Sequence, residues 1–194
     1  QAHSGIRDLD SSLVGSEMCI RDRRSFVPQL RDAGKAGREF IYAEKNWHDF
    51  EDHARAVRNK RYKYIRNYYE DLPLTPPADA VRSPTYEELK RLQKEKELLP
   101  YQLTCFVSPR EKEELYDTEN DPFELNNVAA DPRFASVVLA MRAALQNWEK
   151  ANDDAPPALR TADEFDRISG LPTDARVRPR RTKAEMVEME LTAP

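Results

Sequence analysis

The stretch that most restricts this chain runs from Glu114 to Trp148. It begins Glu114-Leu-Tyr-Asp-Thr-Glu-Asn-Asp-Pro-Phe-Glu-Leu-Asn-Asn127 and continues through Asp131-Pro-Arg-Phe134 into a long segment with apolar residues at regular intervals. Leu115 and Tyr116 predict a short strand, closed by the turn-rich Asp117 to Pro122. A short helix is expected from Pro122 to Asn127. Asp131 is a good helix N-cap, and Pro132 in the first helical position loses only an N–H that had no partner. From there Phe134, Val138, Met141, Leu145 and Trp148 recur at spacings of three and four. That period puts them on one face of a helix of about five turns, which Asn152 and Pro156 end. Such a stripe must lie on something, most simply a sheet containing Leu115 and Tyr116.

Two further β-rich runs supply the rest of that sheet. Phe40–Ala43 reads as a strand leading into a polar loop, Glu44 to Asp49, that carries Trp47 and His48. Ala54–Arg58 and Tyr62–Asn67, separated by Asn59-Lys60, read as a hairpin. A Pro-rich connection from Pro73 to Ser83 precedes a surface helix. Ser83 or Thr85 can cap it, Glu87 or Glu88 can complete a capping box, and it should run to about Leu98.

The 194 residues are enough for one domain with a modest core, and no apolar run approaches the eighteen or so residues of a membrane span. A net charge of −4 argues against a generally nucleic-acid-binding surface. Cys19 and Cys105 provide neither a disulfide framework nor metal-ligand spacing. No metal ligand is expected in the chain.

The ordered string from Glu114 to Trp148 resembles the C-terminal subdomain of the sulfatases, in the alkaline-phosphatase-like superfamily. Its nearest likeness is to the heparan N-sulfatase (N-sulfoglucosamine sulfohydrolase) branch. Arg24-Ser-Phe-Val-Pro-Gln-Leu30 is similar to the segment preceding that subdomain. The hairpin around Arg55-Ala-Val-Arg58 and Arg61-Tyr-Lys-Tyr-Ile-Arg-Asn67 is similar to its antiparallel pair, and Ser83-Pro-Thr-Tyr86 to one of its helices. The resemblance covers residues 24 to 152. It implies an α+β fold, a small antiparallel sheet of Phe40–Ala43, Ala54–Arg58, Tyr62–Asn67 and Glu114–Tyr116 packed on the Asp131–Ala151 helix. Residues 153–194 would form an extended, Pro-rich charged tail, expected to be mobile.

The resemblance also implies a function. The whole enzyme would hydrolyse a sulfate ester or sulfamate on a glycan, with formylglycine as nucleophile and Ca²⁺ as cofactor, in a periplasmic or secreted location. Both groups would belong to an N-terminal catalytic domain, the expected partner, leaving this chain inactive alone. Cys19-Ile-Arg-Asp-Arg23 matches the nucleophile motif Cys/Ser-x-Pro-x-Arg in spacing, but Arg21 stands where Pro is required. Cys105-Phe-Val-Ser-Pro109 fits no better. Residues 1–23 resemble instead the translated read-through of a sequencing adapter, as in Leu13-Val-Gly-Ser-Glu-Met-Cys-Ile-Arg-Asp22, and are set apart from the fold.

By the same resemblance, the loop holding His48 and Asp49, together with Arg55, would face the substrate pocket. Arg offers a planar fork of donors to anionic oxygens and His a pH-tunable donor, so His48 and Arg55 are the expected substrate contacts. Asp49 is a candidate for a sugar hydroxyl. A different use of the hairpin 54–69 stays open. Lys60, Arg61, Lys63 and Arg66 alternate with Tyr62, Tyr64, Tyr68 and Tyr69, a mixture that can bind polyanions or single-stranded nucleic acid. The acidic balance and the neighbouring Glu70 and Asp71 weigh against it, so no nucleic acid and no membrane is the expectation.

Overall fold

The computed structural model describes residues 27–176; the adapter-like segment 1–23, and the part of the expected charged tail after Arg176, lie outside them. Four strands form one sheet in the order β1-β2-β3-β4: β1 Ile41–Trp47, β2 Glu51–Arg58, β3 Tyr62–Asn67 and β4 Glu113–Asp117. The helices are α1 Val27–Arg31, α2 Ala78–Val81, α3 Pro84–Glu95 and α4 Ala135–Ala151, with 3-10 turns at Pro100–Cys105 and Pro132–Phe134. The sheet is antiparallel. Asn59 N–H bonds to Tyr62 O and Tyr68 N–H to His53 O, while Asn67 N–H bonds to Lys112 O and Thr118 N–H to Arg61 O. Among the described residues no helix is long and apolar enough to cross a membrane.

The chain packs as two compact units. The first comprises described residues 27–43, 56–64 and 115–155. Its core is the α4 stripe, Val138, Met141 and Leu145, closed on Val57, Tyr64 and Leu115. Phe134 and Trp148 pack half-buried at the ends of the stripe, and Trp148 stacks on Tyr42 with ring centroids 5.2 Å apart. Burial of this kind is worth about 2 kcal/mol for each large side chain, so the stripe outweighs any intrinsic helix preference. The helix starts and stops as its caps dictate. Asp131 accepts from Arg133 N–H at 2.9 Å to open the 3-10 turn that feeds α4, and Asn152 caps the far end, its side chain donating to Trp148 O at 2.8 Å.

The hairpin turn of the first unit is made by one side chain: Asn59 Oδ1 accepts from the N–H groups of Arg61 and Tyr62 at 2.9 and 2.7 Å. A second asparagine shields the outer edge of β4. Asn127 Oδ1 accepts from Leu115 N–H at 2.9 Å and Ala129 N–H at 3.0 Å, while Val128 N–H donates to Leu115 O, so the exposed ladder groups of Leu115 are satisfied without another strand.

The second unit comprises described residues 44–55, 65–114 and 156–176. Its apolar cluster is Phe50, Ala78, Val81, Tyr86 and Phe165, with Leu89, Cys105 and Phe106 against it. Ser83 caps α3 by accepting from Tyr86 N–H at 3.2 Å, and Lys96, at φ 61°, ends it in the left-handed region. Phe106 stacks on Tyr86 at 5.4 Å, which gives the segment after Leu99 a packing role.

Several expectations need correction. No helix forms over Pro122–Asn127: Glu124 sits at φ 55°, and Asp121 takes Asn126 N–H at 2.8 Å, so a side chain closes the loop. The polar loop after Ala43 is mostly strand, because β1 is an edge strand on which polar residues are tolerated; Glu44, for instance, accepts from the Asn46 side chain. β2 begins at Glu51 rather than Ala54 and α3 stops at Glu95 rather than Leu98. Asp163 to Thr173 is a looped turn closed by a Phe165–Pro172 bridge. The segment 160–176 is no loose arm. Phe165 is buried and Arg160 pairs with Asp71 at 2.7 Å, which ties the segment into the second unit.

Candidate functional site

The turn between β1 and β2, His48 to Phe50, concentrates the expected site residues. His48 leaves the strand end with a side chain 68% exposed, its Nδ1 3.3 Å from Asp49 Oδ2. The same Asp49 oxygen accepts from Ala78 N–H at 2.7 Å. Pro77 has no side chain able to cap α2, so Asp49 satisfies an N–H at that helix's start from a distant part of the chain. The turn's last residue, Phe50, is buried in the apolar cluster and anchors it. An imidazole with open access therefore stands on a turn whose neighbours are fixed.

Arg55 is in a different setting. It is 2% exposed, within β2. Its Nη1 donates to Ala54 O at 3.0 Å and Lys45 O at 3.4 Å, and its Nη2 lies 3.5 Å from His53 Nδ1 and 3.8 Å from Glu44 Oε2. The guanidinium thus fastens β2 to β1 beneath the turn. The structure brings His48 and Asp49 into contact and places Arg55 inside the strand pair.

Around Arg55 lies a polar interior that the sequence did not reveal. Asp52, 4% exposed, receives a two-pronged bond from Arg110 at 2.7 and 3.2 Å and an ion pair from Lys45 at 3.0 Å. Burial pushes the Asp52 pKa up, but Arg110 and Lys45 more than offset it and leave it below the usual 3.8. Arg110 also donates to Tyr69 O at 2.9 Å. Tyr69 donates its hydroxyl to Glu51 at 3.2 Å; burial first, and then Glu51, raise its pKa above the usual 10.0. The one sequence signal was three consecutive ionisable residues, Glu51-Asp52-His53, at the start of a β-rich run.

The basic hairpin residues are largely met by carboxylates. Arg61 forks onto Asp117 at 2.7 and 3.0 Å, Lys63 bonds to Glu124, and Arg66 reaches Glu113 at 3.1 Å. The Arg61 contact comes first in holding Asp117 well below the ordinary carboxylate range.

The residues present do not fit the groups a sulfatase would need. Among the described residues no cluster of three or more His, Cys, Asp or Glu side chains is placed to hold a metal ion. Cys105 is half-buried, packed with the Phe50–Tyr86 cluster, and has Val107 and Pro109 where the nucleophile motif needs Pro and Arg.

No protein-family model matches the chain. Over 121 residues it is 41% identical to an ulvan-active sulfatase of Formosa agariphila, a match covering 61% of this chain and 20% of that protein. The human N-sulphoglucosamine sulphohydrolase is 30% identical over 101 residues, covering 52% of this chain and 20% of the relative. A solved 2-O GAG sulfatase superposes with a TM-score of 0.42 and 22% identity, over 68% of this chain and 20% of that one. The chain is similar to sulfatases in sequence, and it spans about a fifth of the length of these curated relatives.

Proposed function

We propose that this chain is the C-terminal subdomain of a sulfatase acting on a sulfated glycan, and that its task is to complete the rim of the substrate pocket. The observation that carries this reading is the 41% identity over 121 residues to an ulvan-active sulfatase, a sequence match that extends over 61% of the chain. Formylglycine and Ca²⁺ would be held by the remainder of the enzyme. The chain alone would then have no turnover. The similarity to N-sulphoglucosamine sulphohydrolase favours a glycosaminoglycan-type substrate, and the ulvan-active relative a sulfated polysaccharide more broadly.

Within that reading His48, Asp49 and Arg55 face the substrate in different ways. His48 touches it, since its ring is 68% exposed. Asp49 orients that ring and is near enough to meet a sugar hydroxyl. Arg55 contributes a fixed positive charge from within the β1–β2 pair, where burial away from water leaves it less screened. Two measurements test this. An in-frame Cys/Ser-x-Pro-x-Arg motif upstream in the gene is expected, and a natural start codon near residue 24 would overturn the assignment. In the full-length protein His48→Ala should raise KM for a sulfated oligosaccharide by about tenfold, the value of a hydrogen bond to a charged group. Unchanged KM and kcat in both His48→Ala and Arg55→Ala would end the site assignment.

A further inference from the structure

The loop Asp163–Thr173 meets the chain just after the His48 turn. Glu51 N–H donates to Asp163 Oδ1 at 2.8 Å, and Arg167 Nη2 donates to Glu51 O at 2.6 Å. Both main-chain groups of the first β2 residue are therefore held by one ion pair. Asp163 and Arg167 grip each other through two contacts, at 2.6 and 3.1 Å, and the Arg167 guanidinium lies 5.1 Å from the centre of the Phe50 ring. Charge-assisted bonds in this paired arrangement are the strong, geometrically specific kind.

A second contact reaches the other support of the turn. Gly170 lies at φ 67°, and a Cβ there would come within 2.7 Å of Ala78 O. The Gly170 carbonyl accepts from Arg82, which follows α2. Ala78 is also the residue whose N–H is taken by Asp49, the neighbour of His48. The loop thus braces the turn in two ways: directly at Glu51 through Asp163 and Arg167, and indirectly through α2, which Gly170 meets and Asp49 caps. Its own shape is kept by Thr173, whose hydroxyl donates to Asp163 O at 2.7 Å, and by the Phe165–Pro172 bridge.

The geometry points to Asp163, Arg167 and Gly170 as positioning residues that set where His48 stands, so that loop 163–173 is a latch for the substrate-facing turn. This rests on the reading of His48 as the substrate contact. Loss of the latch would leave the imidazole present but free to wander, and binding of the glycan would weaken before any later step changed.

The test begins with the 194-residue chain and needs no turnover. Amide exchange at Glu51 and Ala78, and the NMR signals of the His48 imidazole, are followed in Asp163→Asn, Arg167→Lys and Gly170→Ala. Ile168→Ser, at a side chain 75% exposed on the same loop, is the control. Exchange at Glu51 and Ala78 should quicken by about tenfold or more in the first three variants. The His48 signals should move the way they do in Asp49→Asn, with the control unchanged. Unchanged exchange and unchanged His48 signals would overturn the latch. So would a uniform loss of protection throughout 65–114 in the mildest variant, Arg167→Lys, since the loop would then be ordinary core. In the full-length protein the latch variants should raise KM with kcat kept. If the exchange result holds but neither His48→Ala nor Arg167→Lys alters KM, the substrate reading fails while the latch stands.

Discussion

The two units solve the same problem with opposite materials. The first buries Val57, Tyr64, Leu115, Val138, Met141 and Leu145, and Asp117 is the polar residue that joins them among the buried. The second buries Glu51, Asp52, His53, Arg55, Asn67, Thr75 and Arg110 beside a small apolar cluster. An apolar core depends on volume and tolerates small shifts, because its attraction has no direction. A buried polar network depends on pairing, and each member is costly once its partner is gone. The expected site residues lie in the unit built the second way. Fixed geometry there would serve the role proposed for the His48 turn.

The contrast can be broken by substitution, and the largest effect is expected in the polar unit. Arg110→Ala leaves the Asp52 carboxylate buried with Lys45 as its remaining cation and should cost about 4 kcal/mol. Replacing both partners by apolar residues, Asp52→Leu with Arg110→Met, should recover most of that loss, as measured by urea unfolding. A double variant as unstable as the single one would show that the network does more than satisfy its own charges. Next in size is Leu145→Ala in the apolar unit. It empties a site 1% exposed on the α4 stripe and should cost about 3 kcal/mol by the same assay.

A pH titration tests the Asp52 pairing directly. The folded Asp52 pKa is lowered from 3.8, so its contribution is fully present above the unfolded value and is lost as pH falls through the folded one. Unfolding midpoints should therefore drop below about pH 4 in the wild type and less steeply in Asp52→Asn. Smaller again is the cap of α3: Ser83→Ala removes the acceptor for Tyr86 N–H and should cost about 1 kcal/mol in thermal melts. Smallest is Leu139→Ala, on the same helix as Leu145 but 61% exposed, with an expected change within about 0.5 kcal/mol. A large effect there would mean that the outward face of α4 is covered in solution.

Legibility in the sequence followed the same division. The α4 stripe was readable because helical period is local: Val138, Met141 and Leu145 are the residues buried, and Phe134 and Trp148 flank them. Asp131, Asn152 and Ser83 announced helix ends because capping depends on the next few residues. Where a local rule met a side chain with a better offer, it failed. Asp121 closed its own loop and left Glu124 at positive φ, so the turn-rich segment never became the expected helix.

What the amino-acid order determined by itself was the four-stranded antiparallel sheet, the helix lying on it, and the likeness to sulfatases, all of which repeat or cap over short spans. Only the tertiary structure decided that Arg55 is interior, that Asp52 meets Arg110 across 58 positions, and that Asp163 reaches Glu51 across 112. Apolar burial announces itself through period, since every residue of the stripe has the same requirement. A charge pair has no period: its two members are recognisable only to each other, and only once the chain has brought them within about 3 Å.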